Sequence, residues 1–354
     1  MQVMTSMTSM QRVLTTLGHQ EPDRVPLFLL LTMHGAKELG LSIEDYFESA
    51  TNVVEGQRRL RAKYEDDCFY NFFYAGLEIE AWGGETIFRE DGPPNSGKPI
   101  ISHPDEILKL EPPKVQDSPS LLKVLEVTRQ LKMFAGDEVP IIGVAISPFS
   151  LPVMQMGFES YLDLMYLRPD LFERLLQINQ AFSVEWANAQ LASGATAICY
   201  FDPIASPSMI PKDLYFKHCF EFTRQTLLKI QGPTATHLAS GRSMSILDHI
   251  AQTGTAVVGV SAEESLADLK EIARGKVTLL GNLNGVEMRR WTPEQAKHNV
   301  KEAIAQAGSG GGFILSDNHG EIPWQVPDDV LLTISETVRQ YGKYPLQLDP
   351  GDGG

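Results

Sequence analysis

Short apolar runs alternate with helical segments eight times along this chain, and that alternation limits the fold more than any other feature of the sequence. The runs fall at residues 25–31 (VPLFLLL), 68–74 (CFYNFFY), 141–146 (IIGVAI), 197–201 (AICYF), 234–238, 256–260 (AVVGV), 277–281 (VTLLG) and 312–315. Between them, apolar residues recur at helical spacing over 44–64, 120–134, 157–167, 169–193, 212–230, 243–252, 265–273 and 293–307, and 328–341 closes the chain. Thr292 followed by Pro293 gives the helix at 293–307 a clear start. Alternation of this kind predicts a parallel sheet with helical crossovers. Eight strands favour a closed (β/α)8 barrel, an α/β fold of the TIM type, over an open sheet. The first strand–helix junction carries no Gly-x-Gly-x-x-Gly, so a dinucleotide-binding fold loses its main support.

The expected organisation is one catalytic domain over 1–345 and a tail over 346–354, frayed at 351–354. Residues 83–118 are polar and rich in Gly and Pro, and read as an excursion after strand two. At 354 residues and 43% apolar, the chain can bury a large core. Forty-five acids against thirty bases leave a net charge of -15, which argues against a nucleic-acid partner. No apolar run reaches the ~18–20 residues of a membrane span, and residues 1–11 lack the pattern of a secretory signal. Cys68, Cys199 and Cys219 make no disulfide framework, so a cytoplasmic location is expected.

Barrels of this type carry their chemistry where the strands end. His237 and His319 fall directly at strand ends, and His34 lies just beyond one. Asp202, in Tyr-Phe-Asp-Pro, reads equally as a catalytic acid or as the cap of a turn. Tyr74, Tyr200, Asn282 and Asn318 are the strand-end residues suited to holding a substrate. Cys199 reads as a small buried side chain, and Glu263 and Glu264 as negative charge at the start of the next helix.

Several of these segments together resemble the uroporphyrinogen decarboxylase superfamily, and more closely its corrinoid-dependent methyltransferase branch, which includes methylcobamide:coenzyme M methyltransferases. They are residues 10–26 (MQRVLTTLGHQEPDRVP), 142–151 (IGVAISPFSL), 202–206 (DPIAS), 281–283 (GNL) and 313–320 (FILSDNHG). The decarboxylases carry an arginine-rich element after strand one that holds substrate carboxylates. Here that stretch is Thr32-Met33-His34-Gly35-Ala36-Lys37, so porphyrinogen decarboxylation is not expected. The coenzyme M-type enzymes bind zinc through His-x-Cys and a later cysteine. Here His237-Leu238-Ala239 keeps only the histidine, and His319 stands at the later position.

The resemblance implies a methyltransferase that moves a methyl group between a small methylated substrate, or a thiol or folate acceptor, and the cobalt of a corrinoid carried by a separate protein. No Asp-x-His-x-x-Gly cobalamin element is present in this chain. It gives His319, His237 and Asp202 catalytic roles. Zinc is a candidate cofactor, held by His237, His319 and Glu263, with Asp202 or Cys199 as other third ligands. Without metal, the two histidines serve as hydrogen-bonding and acid–base groups. The alternatives are a cofactor-free lyase acting on a non-porphyrin acid, and a noncatalytic barrel that binds a ligand or a corrinoid protein.

Overall fold

The computed structural model describes residues 6–347; the expected fraying at 351–354 lies outside them. Among the described residues nine strands form two sheets: β1 (Phe69–Tyr70), β2 (Thr86–Ile87), β3 (Asn95–Ser96), β4 (Ile141–Ile146), β5 (Ala197–Phe201), β6 (Thr234–His237), β7 (Val257–Gly259), β8 (Thr278–Leu283) and β9 (Phe313–Asp317). The main sheet is seven-stranded and all parallel, in the order β1-β4-β5-β6-β7-β8-β9. β2 and β3 form a separate antiparallel pair within residues 83–118.

Side chains alternate across the main sheet as the period-2 geometry of strands requires. Tyr70, Val144, Cys199, Leu280 and Ile314 gather in one inner cluster with Phe28 and Leu30. The neighbours in sequence, such as Ala145, Ile198, Leu279 and Leu315, pack outward against helices. The helix Ser9–Leu17 lies against the inner cluster through Val13 and Leu17, and its Thr16 carbonyl accepts from the Gly312 N–H (3.0 Å).

The first two expected strands are reduced. Residues 25–31 form no regular strand, but Leu27 makes a parallel bridge with Leu315 of β9. Phe28 N donates to the Leu315 carbonyl (2.9 Å) and Leu315 N to the Pro26 carbonyl (2.9 Å), while Asp67 N donates to the Leu27 carbonyl (2.8 Å). Pro26 has no N–H to give, which shortens the ladder. The segment therefore lies between β9 and the chain leading into β1, and a buried carboxylate fastens it. Asp67 accepts from Arg12 (2.6 Å), Arg24 (2.7 Å), Ser9 (2.9 Å) and the Leu27 N–H (2.9 Å). The second run keeps only Phe69–Tyr70 as strand.

Two expected helices are interrupted. Ser49 is extended (φ -115°, ψ 127°), so 44–64 divides into Ile43–Glu48 and Ala50–Tyr64. The 212–230 segment holds a π-helical turn at Tyr215–Cys219. No helix among the described residues is long and apolar enough to cross a membrane.

Candidate active site

β6 ends at His237, whose ring is fully buried on the inner face of the sheet. It stacks on Phe201 at the end of β5, with centroids 5.8 Å apart. A Cβ at Gly259 would meet the imidazole Cδ2 at 2.3 Å, so only glycine fits beside it on β7. Ala239 adopts a left-handed backbone (φ 51°) and returns its N–H to His237 Nδ1 at 3.1 Å. That bond fixes the tautomer, with the proton on Nε2, and Nε2 has no hydrogen-bond partner among the described residues. Burial, helped by His319, holds the His237 pKa down at about 4, so the ring is neutral at physiological pH.

The loop after β9 brings His319 to the same end of the sheet. Asp317 Oδ2 accepts from the His319 and Gly320 N–H groups, both at 2.8 Å, and fixes this turn. Burial pushes the Asp317 pKa up against those two bonds. His319 is exposed, and its Nδ1 lies 2.8 Å from Ser240 Oγ on the loop after β6. Gly320, at φ 90°, sits against both His237 and Phe201, and its carbonyl accepts from Tyr70 Oη (3.1 Å). The chain then folds back over residues 28–32, where Ile322 N donates to the Leu30 carbonyl (3.1 Å).

That return places Glu321 at the same strand ends, accepting from the Thr32 hydroxyl. Burial raises the Glu321 pKa to about 7, against the Thr32 bond and with help from Asp317. Glu321 was not singled out from sequence, because it lies beyond a strand end and only the returning chain carries it to the mouth. Asp317 did stand at a strand end, but nothing in the sequence marked it as the group that holds His319.

The other expected residues scatter. Asn282 is half-buried at the end of β8, where Nδ2 donates to the Ser261 carbonyl (3.1 Å). It also touches a concavity of about 870 Å³ that runs beneath the β7 and β8 loops past Glu264 and Trp291, and that does not reach either histidine. Asn318 is buried and accepts from Gly285 N (3.2 Å), a bond that joins two loops. His34 is buried next to Trp324 (6.0 Å), and neither ring nitrogen is paired among the described residues. Burial and Lys37 depress its pKa to about 3. Tyr200 points outward into the helix-facing core with Phe182 and Trp186. Tyr74 packs on Phe47 and Phe88 and donates to Glu80 (3.0 Å), outside the inner face.

Asp202 faces the loop after β4 and the π-turn. It accepts from Ser147 Oγ and Ser150 Oγ, both at 2.6 Å, and from the Cys219 thiol (3.7 Å). Its side chain has no bond to either histidine, and only its backbone N–H reaches the His237 carbonyl (2.8 Å). Asp202→Asn is expected to lower the melting temperature while changing turnover per folded molecule less than threefold. A rate loss beyond tenfold at unchanged stability would return Asp202 to the chemistry.

The expected zinc set does not fit this geometry. Among the described residues, no three His, Cys, Asp or Glu side chains are grouped to hold a metal ion. Glu263 is exposed and paired with Arg242 (3.2 Å), Cys199 lies in the inner apolar cluster, and Asp202 is enclosed by its own donors.

The profile of the family described as "Uroporphyrinogen decarboxylase (URO-D)" matches residues 8–341, nearly the whole described chain. The chain belongs to the uroporphyrinogen decarboxylase family. Within that family, it is 26% identical to the uroporphyrinogen decarboxylase of Cupriavidus necator over 282 residues, covering 75% of this chain and 76% of that one. It is 25% identical to the Neisseria meningitidis enzyme over 273 residues, covering 73% and 75%. Among solved structures, a methyltransferase from Methanosarcina mazei superposes with a TM-score of 0.80 at 19% identity, covering 95% of this chain and 99% of that one. A B12-independent methionine synthase from Shewanella superposes less closely, at a TM-score of 0.53 and 14% identity, over 91% and 95%. These likenesses define the fold that this family member shares.

Proposed function

We propose that this family member is a methyltransferase that moves a methyl group between a small methylated substrate and the cobalt of a corrinoid delivered by a separate protein. The observation that carries the reading is the contact between Thr32 and Glu321. In the decarboxylase pattern, the stretch beginning at Thr32 supplies arginines for substrate carboxylates. Here it supplies a hydroxyl to a carboxyl group, and its one cation, Lys37, donates to the Trp324 carbonyl. A polycarboxylate substrate has no countercharge at such a wall, and its desolvation goes uncompensated. The Asp-Pro-Ile-Ala-Ser element at 202–206 and the fold shared with the Methanosarcina protein favour the same branch.

In this reading residues 25–31 serve as the eighth strand of a closed barrel, supported by their bonds to β9 and to Asp67. Residues 1–345 act as one catalytic unit. His237, His319, Glu321 and Asn282 hold the methylated substrate, and the reduced corrinoid enters above them as the second substrate.

The test is methyl transfer from a panel of methylated amines, ethers and thiols, followed by the visible spectrum of cobalamin. Transfer is expected only with a corrinoid protein or with high free cobalamin in the reduced state. Conversion of uroporphyrinogen to coproporphyrinogen by the pure protein, or methyl transfer to a final acceptor without corrinoid, overturns the proposal.

A further inference from the structure

Phe72, Phe201, Ser240, Asn282, His319 and Glu321 are among the side chains that retain solvent exposure at the mouth. Glu321 is the acid among them, and there is no lysine or arginine. Three cations on the surrounding loops are engaged elsewhere: Lys37 with the Trp324 carbonyl, Arg242 with Glu263, and Arg289 with the Val286 carbonyl. Thr32 occupies one oxygen of Glu321, and Oε2 receives no hydrogen bond from any described residue. Two aromatic rings and one half-free carboxyl group make a surface that attracts positive charge. The ring faces contribute through their quadrupoles, and the carboxyl group, its pKa raised to about 7 by burial, contributes the charge it carries once a bound cation favours its ionised form.

We propose that the methyl donor taken at this mouth is a methylated ammonium cation, held by Glu321 against Phe72 and Phe201. The assignment rests on the methyltransferase reading and names its substrate class. The bond chemistry agrees with the residues present. When the methyl carbon passes to the corrinoid partner, cobalt(I) would supply the electron pair of the new carbon–cobalt bond and become formally cobalt(III), while the carbon–nitrogen bond breaks and both its electrons stay on nitrogen. The positively charged nitrogen becomes a neutral amine, so no proton has to be delivered. An ether would leave as an alkoxide and require an acid at that moment, a role that Glu321 cannot fill in the ionised form that holds a cation. His237, the imidazole at the floor, is held in its neutral form by burial, with Nδ1 taken by the Ala239 N–H, so it does not repel the cation.

Binding can be measured without any corrinoid. Choline and its uncharged isostere 3,3-dimethylbutanol have the same shape, and each is titrated by calorimetry or by saturation-transfer NMR. Choline is expected to bind about tenfold or more tightly than the isostere, the scale of one charge-assisted contact. Glu321→Gln keeps the size of the side chain and the acceptor for Thr32, and is expected to abolish the preference. Phe201→Leu is expected to reduce it and serves as the second variant if Glu321→Gln misfolds. Equal affinity for choline and its isostere overturns the assignment, as does a preference unchanged in both variants. A charge preference that depends on Glu321, without methyl transfer to cobalamin, supports the cation site and removes the methyltransferase reading. Transfer from ethers without cation preference keeps the methyltransferase and removes the ammonium donor.

Discussion

Asp67→Ala is expected to destabilise the protein by about 3–5 kcal/mol, the scale for removing one partner of a buried ion-pair network. Asp67 is buried and receives two arginines, a serine hydroxyl and a backbone N–H. Arg12 would keep Asp23, which it meets at 2.7 Å and 2.8 Å, but Arg24 would lose its carboxylate partner. The Leu27 N–H would lose its acceptor too, loosening residues 25–31 where they meet the sheet. Asp67→Asn should fall between the two, because an amide oxygen can still accept from Leu27 while the charge is gone. Equilibrium urea unfolding reads the effect from the midpoint. A loss under about 1 kcal/mol for Asp67→Ala would mean that water or rearranged side chains take over the network.

His237→Leu should move stability and activity in opposite directions. The imidazole is buried with Nε2–H unpaired, a state that costs about 1–3 kcal/mol relative to an apolar group of similar size. Leucine removes that cost and retains contact with Phe201, and the Ala239 N–H that loses its imidazole acceptor is only half-buried and can turn to water, so the melting temperature should rise. The same replacement removes the polar group at the floor of the mouth, and methyl transfer should fall about 10²-fold or more, the scale of losing a positioned polar group. A group kept at a cost to the fold is what function requires. If His237→Leu is more stable and fully active, the histidine has no part in the reaction. If it is less stable, the lost bond from the Ala239 N–H outweighs the relief at Nε2.

Much of the main sheet could be read from the sequence because its strands announce themselves locally. The runs at 141–146 and 197–201 coincide with β4 and β5, and those at 234–238, 256–260, 277–281 and 312–315 differ from β6–β9 by one or two residues at their ends. Each is a short apolar run between turn residues, and parallel strands buried on both faces need nothing else. The first two runs were over-read. Hydrophobicity marks 25–31 as buried, but ladder formation depends on N–H groups, and Pro26 has none to give. The break at Ser49 and the π-turn at Tyr215–Cys219 are set by what the helices pack against, which periodicity does not encode.

The site divided in the same way. His237 and His319 stood at strand ends and meet there. Asp202 also stood at a strand end, but the direction of its side chain follows strand alternation: Cys199 and Phe201 face inward, whereas Tyr200 and Asp202 face the helices. Counting residues from Cys199 would have given that answer. Nothing comparable was available for Glu321, whose position depends on a loop folding back across the chain.

The early segment and the late chain are also joined beyond Leu315: Val25 N donates to the Gly342 carbonyl (2.8 Å), Tyr344 N to the Asp23 carbonyl (3.2 Å), and Arg24 bridges Lys343. On the ribosome, residues 23–28 leave the tunnel long before any of these partners exists. At about 5–20 residues per second, they wait for tens of seconds. During that interval Val25, Leu27, Leu29 and Leu31, all buried in the finished protein, have no β9 to cover them. Nascent chains stalled before residue 313 should therefore present an N-terminal stretch that chaperones bind, and release should follow synthesis of the last strand.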